Sequence, residues 1–118
     1  MQVLIFGVTG MLGHKLYQIL ARTLDASGTI RGSYHGISRY DFFQQSRIVP
    51  EVDAREISHV EKAIEETRPD VVINCIGVVK SLVQQEGMVS TIQLNALFPH
   101  QLYQVCQTRG VRLIHIST

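Results

Sequence analysis

Gly7, Gly10 and Gly13 recur at every third position in Gly7-Val8-Thr9-Gly10-Met11-Leu12-Gly13, directly after the apolar run Val3-Leu4-Ile5-Phe6. Each glycine has a physical use in such a turn. The first lets the chain bend sharply, the second lets a pyrophosphate approach the backbone, and the third lets the next helix pack close to the strand. A helix opening at Met11 would turn its free N–H groups and partial positive charge toward that anion. The turn therefore reads as a phosphate cradle, with Thr9, Met11 and Leu12 among its candidate contacts. The plain alternative is a tight strand-to-helix turn without a ligand.

About 20 residues further on, dinucleotide sites commonly place an acid for the ribose hydroxyls. Here the chain reads Ser33-Tyr34-His35-Gly36, with no carboxylate. His35 and Arg39, with Arg31 nearby, supply cations instead. This set favours a 2′-phosphate over a free hydroxyl, so NADP(H) is expected over NAD(H). The alternative for each of them is a solvated surface group. Asp53 follows a third apolar stretch. Its carboxylate suits an adenine amino group, and equally suits the N-cap of a helix beginning near Ala54. Asn74-Cys75-Ile76-Gly77 closes the strongest strand signal, and such small residues let a flat ligand lie across a strand end.

These residues need a frame. Val3–Phe6 reads as a strand buried on both faces. Leu12, Leu16, Ile19, Leu20 and Leu24 step along a helix, which Ser27-Gly28 is expected to break. A weaker strand follows near Thr29–His35, and Arg47–Val52 reads as a third strand, with Pro50 marking its edge or end. Ile57, Val60, Ile64 and Thr67 mark a second helix, stopped by Pro69. Asp70–Gly77 is a strand, Val89–Thr108 a helix kinked at Pro99, and Val111–Ser117 a last strand. Alternation of this length implies a parallel sheet with right-handed crossovers. The fold class is α/β: a doubly wound, Rossmann-like NAD(P)-binding domain over residues 1–118. The chain stops after a buried-type strand, so truncation from a longer protein is expected.

The 118 residues carry a formal charge of +1, with 45% hydrophobic and 18% charged residues. That composition excludes disorder and indicates no nucleic-acid partner. Residues 1–50 hold five Lys/Arg against Asp25 and Asp41 only. Cys75 and Cys106 form neither a disulfide framework nor zinc spacing, and no metal is assigned. Both are read as small buried hydrophobes. His14 reads as an exposed first-turn residue, His115 as a hydrogen-bonded core histidine, and Phe42-Phe43 as packing. With no apolar run near the ~18 residues of a membrane span and no leader pattern, a cytoplasmic location is expected.

T-G-x-x-G-x-x-G after the first strand, D-V-V-I-N-C-x-G, L-N-A-x-x-P and R-L-I-H-I-S-T together resemble the extended short-chain dehydrogenases/reductases. Within them the chain is most similar to the dTDP-4-dehydrorhamnose reductase-like sugar-nucleotide enzymes. The resemblance implies that Gly7, Gly10, Gly13 and the backbone of Met11 and Leu12 hold the pyrophosphate. It implies adenine contacts at Asp53 and Ala54, and ribose and nicotinamide contacts at Cys75, Ile76 and Gly77. Asn95 would brace neighbouring strands, and Thr118 would be the catalytic hydroxyl. The implied chemistry is hydride transfer to a 4-keto-deoxysugar nucleotide, with a nucleotide-sugar partner bound through a missing C-terminal part, and a homodimer is common in such enzymes. The family's Tyr-x-x-x-Lys pair is absent from these residues, so the chain alone is expected to be inactive. The alternatives are an NAD-retaining epimerase or dehydratase, or a non-catalytic subunit like the regulatory subunit of methionine adenosyltransferase.

Overall fold

The computed structural model describes residues 1–117. Thr118, the expected catalytic hydroxyl, lies outside them. Five strands form one sheet: β1 (Gln2–Phe6), β2 (Asp25–Thr29), β3 (Ile48–Val49), β4 (Val71–Asn74) and β5 (Arg112–His115). Their order is β3-β2-β1-β4-β5, and every pair is parallel. β1 lies at the centre, and its alternation divides the core. Val3 and Ile5 join Tyr17, Phe43 and Ile48 on one face, while Leu4 and Phe6 join Ile64, Phe98 and Leu102 on the other. Helix α1 (Met11–Leu20) covers the first face. Helices α2 (Ile57–Thr67) and α5 (Phe98–Thr108) cover the second. This is the expected doubly wound sheet. Its strand order reverses direction between β1 and β4, where such sheets open a crevice beyond the strand ends.

Three local expectations are corrected and a fourth is refined. The second strand begins at Asp25, and Ser27-Gly28 lies inside it instead of ending a helix. The reason is packing. A Cβ on Gly28 would fall within the side chain of Val8, which is fully buried, so this glycine is a close-approach residue and not a breaker. Beyond Thr29 the stretch expected as strand up to His35 is consequently not one, and Tyr34–Ile37 forms a 3₁₀ turn.

The buried stripe of α1 runs through Gly13, Leu16, Tyr17 and Leu20. Leu12 and Ile19 are exposed. Gly13 seats the helix against the backbone of Gly7, where a Cβ would collide with the carbonyl oxygen, and this contact sets the helix rotation.

The helix expected over Val89–Thr108 is present and runs unbroken from Met88 to Thr108, but its winding changes inside it. It comprises α4 (Met88–Ile92), a π turn over Gln93–Leu97, and α5, preceded by the short α3 (Val83–Glu86). Pro99 has no N–H for the carbonyl four residues earlier, and its ring crowds that carbonyl. The wider π turn just before it absorbs the misfit.

Finally, His115 is exposed, because β5 is the outermost strand among the described residues. Its ring still meets the side-chain amide of the fully buried Asn74 at 3.1 Å.

Candidate functional site: a crevice at the strand ends

The crevice beyond β1, β2 and β4 encloses about 380 Å³. Its floor begins at the glycine turn. Gly7 takes φ +86°, a conformation that favours glycine. Its N–H is 3.3 Å from the hydroxyl of Thr29, which is buried at the end of β2. Val8 N–H then donates to the Thr29 carbonyl at 3.2 Å. Thr29 thus ties the turn to the neighbouring strand.

Gly10 differs from the other two glycines of the triplet. A Cβ there meets nothing closer than the Gly7 oxygen, 3.6 Å away. No protein atom requires glycine at this position, yet it lines the crevice. It is also the N-cap of α1 and offers no capping side chain. The first N–H groups of the helix, at Met11, Leu12 and Gly13, therefore have neither an intrahelical partner nor a cap. Glycine here keeps room beside a set of free donors, which is the geometry an anion needs.

The opposite wall is the loop after β4. Asn74 accepts the Ile76 N–H at 3.0 Å. Asn95, in the π turn, clasps Val78 on both sides, accepting its N–H at 2.7 Å and donating to its carbonyl at 2.9 Å. Cys75, Ile76 and Gly77 lie between these two anchors and line the crevice. Burial pushes the Cys75 thiol above its ordinary range, so it is held neutral. Cys106 lies in the core and is pushed up to about 11 by burial. The expectation of burial holds for Cys106, whereas Cys75 is only half-buried.

Val52, Ala54 and Leu94 give the crevice an apolar side. Asp53 lies between two of these residues but outside the lining. Its carboxylate is engaged by Arg55, at 2.7 Å and 3.0 Å from the guanidinium and 2.9 Å from the backbone N–H. That guanidinium lowers the Asp53 pKa from 3.8 to about 2. Asp53 does not cap α2, whose N-cap is Glu56.

The cations proposed from sequence separate. Arg31 reaches the crevice, whereas Arg39 lines a neighbouring depression with His14, Lys15, Tyr40 and Phe42. Its guanidinium lies 4.6 Å from the Tyr40 ring centroid. Thr9 borders both hollows. His35 is exposed on the 3₁₀ turn and lines neither. His14 is half-buried, and its ring lies 2.9 Å from the Gly10 carbonyl. Phe42 and Phe43 pack at 4.5 Å between ring centroids.

Sequence reasoning missed Thr29, Glu86, Ser90 and Arg55. Glu86 of α3 meets Arg31 at 3.1 Å. Ser90 donates to Glu86 at 2.8 Å and accepts from Arg55 at 3.2 Å. No spacing motif links positions so far apart. The one available signal was the pairing of an arginine after β2 with an acid in the crossover after β4. Among the described residues no group of three His, Cys, Asp or Glu could hold a metal. No helix among them is long and apolar enough to cross a membrane.

A family model described as the RmlD substrate binding domain matches residues 1–118. The chain belongs to this family. A curated relative, a dTDP-4-keto-6-deoxy-D-glucose reductase from Streptomyces niveus, is 26% identical over 98% of this chain and 34% of its own length. The Thermus thermophilus UDP-glucose 4-epimerase, solved in complex with NAD, is 27% identical with a TM-score of 0.72, over 96% of this chain and 36% of its own. The Bacillus anthracis dTDP-4-dehydrorhamnose reductase, solved with NADP, shares the fold at 22% identity and a TM-score of 0.67, over 95% and 34%. The chain spans about a third of the length of these relatives.

Proposed function

We propose that the crevice binds NADP(H) in preference to NAD(H), and that this chain is the dinucleotide-holding part of an oxidoreductase acting on a 4-keto-deoxysugar nucleotide. The observation that carries the reading is the glycine turn. Gly7 and Gly13 are demanded by the protein's own packing, but Gly10 is not, and it borders the crevice beside the uncapped helix donors. A turn that served folding alone would not need glycine at position 10.

The residues present fit such a cofactor. The N–H groups opening α1 would take the pyrophosphate, and Val52, Ala54 and Leu94 an adenine. Arg31, two residues beyond β2, stands where an acid would favour a free 2′-hydroxyl, and so would take a 2′-phosphate. The loop pinned by Asn74 and Asn95 would form the wall on the nicotinamide side. When bound, the nicotinamide supplies the hydride. The chain's own residues bind and orient it: Asn95 holds Val78 in place, and the half-buried Cys75 contributes a neutral surface rather than a nucleophile. Its curated relative acts on a deoxysugar nucleotide, which supports that substrate class.

No tyrosine here precedes a lysine by four positions, so the 118 residues alone are expected to oxidise no NADPH with a keto-sugar nucleotide. The test of cofactor choice is calorimetric titration with NADPH and NADH. Tighter binding of NADPH is expected, by about tenfold if one charge-assisted phosphate contact at Arg31 decides it. Equal affinity, or preference for NADH, contradicts the reading.

A further inference from the structure

Among the described residues, the crevice lining carries two charged groups, Arg31 and Glu86, and they are paired to each other. Glu86 comes from α3, in the crossover after β4, and Arg31 from the loop after β2, 55 residues apart in sequence. The pair is unequally held. The Arg31 side chain is 52% exposed and that of Glu86 22%. Arg31 meets Glu86 through a single nitrogen. Glu86 has a second partner, the hydroxyl of the buried Ser90, which is in turn held by Arg55. If the ion pair opens, Glu86 stays in place through Ser90, and Arg31 is the member free to swing.

We propose that Glu86 acts as an internal anion that sets the dinucleotide selectivity of the crevice. It supplies from the β4 crossover the carboxylate that is missing after β2, and it competes with an incoming phosphate for Arg31. A free ribose hydroxyl would donate to Glu86 and leave the ion pair intact. A 2′-phosphate would take Arg31 and displace it from Glu86, so breaking that contact offsets part of the phosphate's gain. This inference rests on the reading of the crevice as a dinucleotide site.

The test is calorimetric titration of the wild-type protein, Glu86→Gln, Arg31→Gln and the double variant with NADPH and NADH. Glu86→Gln keeps the side-chain shape and removes the competing charge. Its NADPH-to-NADH affinity ratio should rise by about fivefold, the upper range for an exposed ion pair. Arg31→Gln should lower the ratio, and in that background Glu86→Gln should raise it clearly less than in the wild type, because only the competition for Arg31 is lost. Thermal melts of each variant check folding, and Glu86→Asp should stay close to wild type. A ratio unchanged in Glu86→Gln, or raised equally in the Arg31→Gln background, overturns the role of Glu86 while leaving the dinucleotide site standing. Wild-type protein that binds neither dinucleotide overturns the site itself, and the selectivity role with it.

Discussion

At the residue scale, the three glycines of one motif do three different jobs. Gly7 needs its positive φ, Gly13 needs the absence of a Cβ against the Gly7 carbonyl, and Gly10 needs neither. Their spacing was legible in the sequence, and the proposed anion site rests on it. The division of labour was not, because it depends on which backbone atoms approach each position. Asp53 teaches a similar lesson. Its type and place suggested an adenine contact or a cap, whereas its carboxylate is taken by Arg55, a partner only two residues away. This has a pH consequence. The folded-state pKa is lowered to about 2 from 3.8, so the stability this carboxylate contributes is complete above about pH 4 and is lost as the pH falls through about 2. In denaturation series against pH, the stability gap between wild type and Asp53→Asn should therefore narrow across that window. A gap that stays constant down to about pH 2 would mean that Arg55 does not hold the carboxylate.

At the scale of elements, strands with strong apolar runs were readable and those built for close contact were not. β1 and β4 announce themselves through Val3–Phe6 and Val71–Ile73. β2 is Asp-Ala-Ser-Gly-Thr, a sequence with turn chemistry that becomes a strand because Ala26 and Gly28 leave room for the helix and turn above it. Its displacement from the expected position explains why Arg31, rather than His35 or Arg39, stands at the crevice. The π turn before Pro99 was equally hidden, since a proline signals a missing hydrogen bond but not how the helix repairs it. That repair places Asn95 against Val78. Asn95→Ala removes both hydrogen bonds and leaves the half-buried Val78 backbone without them, a loss of about 1–3 kcal/mol. Urea denaturation should show a loss in that range, together with faster amide exchange at Ile76–Val78. A loss below about 0.5 kcal/mol would contradict the clasp.

At the scale of the molecule, the fold class was readable because the alternation of strand and helix leaves little choice: a parallel sheet with covered faces. That sheet places the crevice beside β1, where the strand order turns back, and gathers five separate pieces of chain around it. They are the glycine turn, the end of β2, the segment after β3, the stretch from the end of β4 to α3, and the π turn with Leu94. The near-neutral net charge of +1 leaves recognition to local groups: Arg31 and Glu86 in the crevice lining, and the uncapped helix donors that follow Gly10 at its border. The central claim is that these donors hold a dinucleotide phosphate, and Gly10 isolates it. The most direct measurement is NADPH titration of wild type and Gly10→Ala, with a thermal melt of each. Alanine at this N-cap should cost folding at most ~1 kcal/mol, because its Cβ meets no protein atom closer than 3.6 Å. The predicted result is NADPH affinity weakened by about tenfold or more in a variant that still melts cooperatively near the wild-type temperature. Equal affinity in the two proteins would contradict the claim and leave the glycine turn as a device of folding alone.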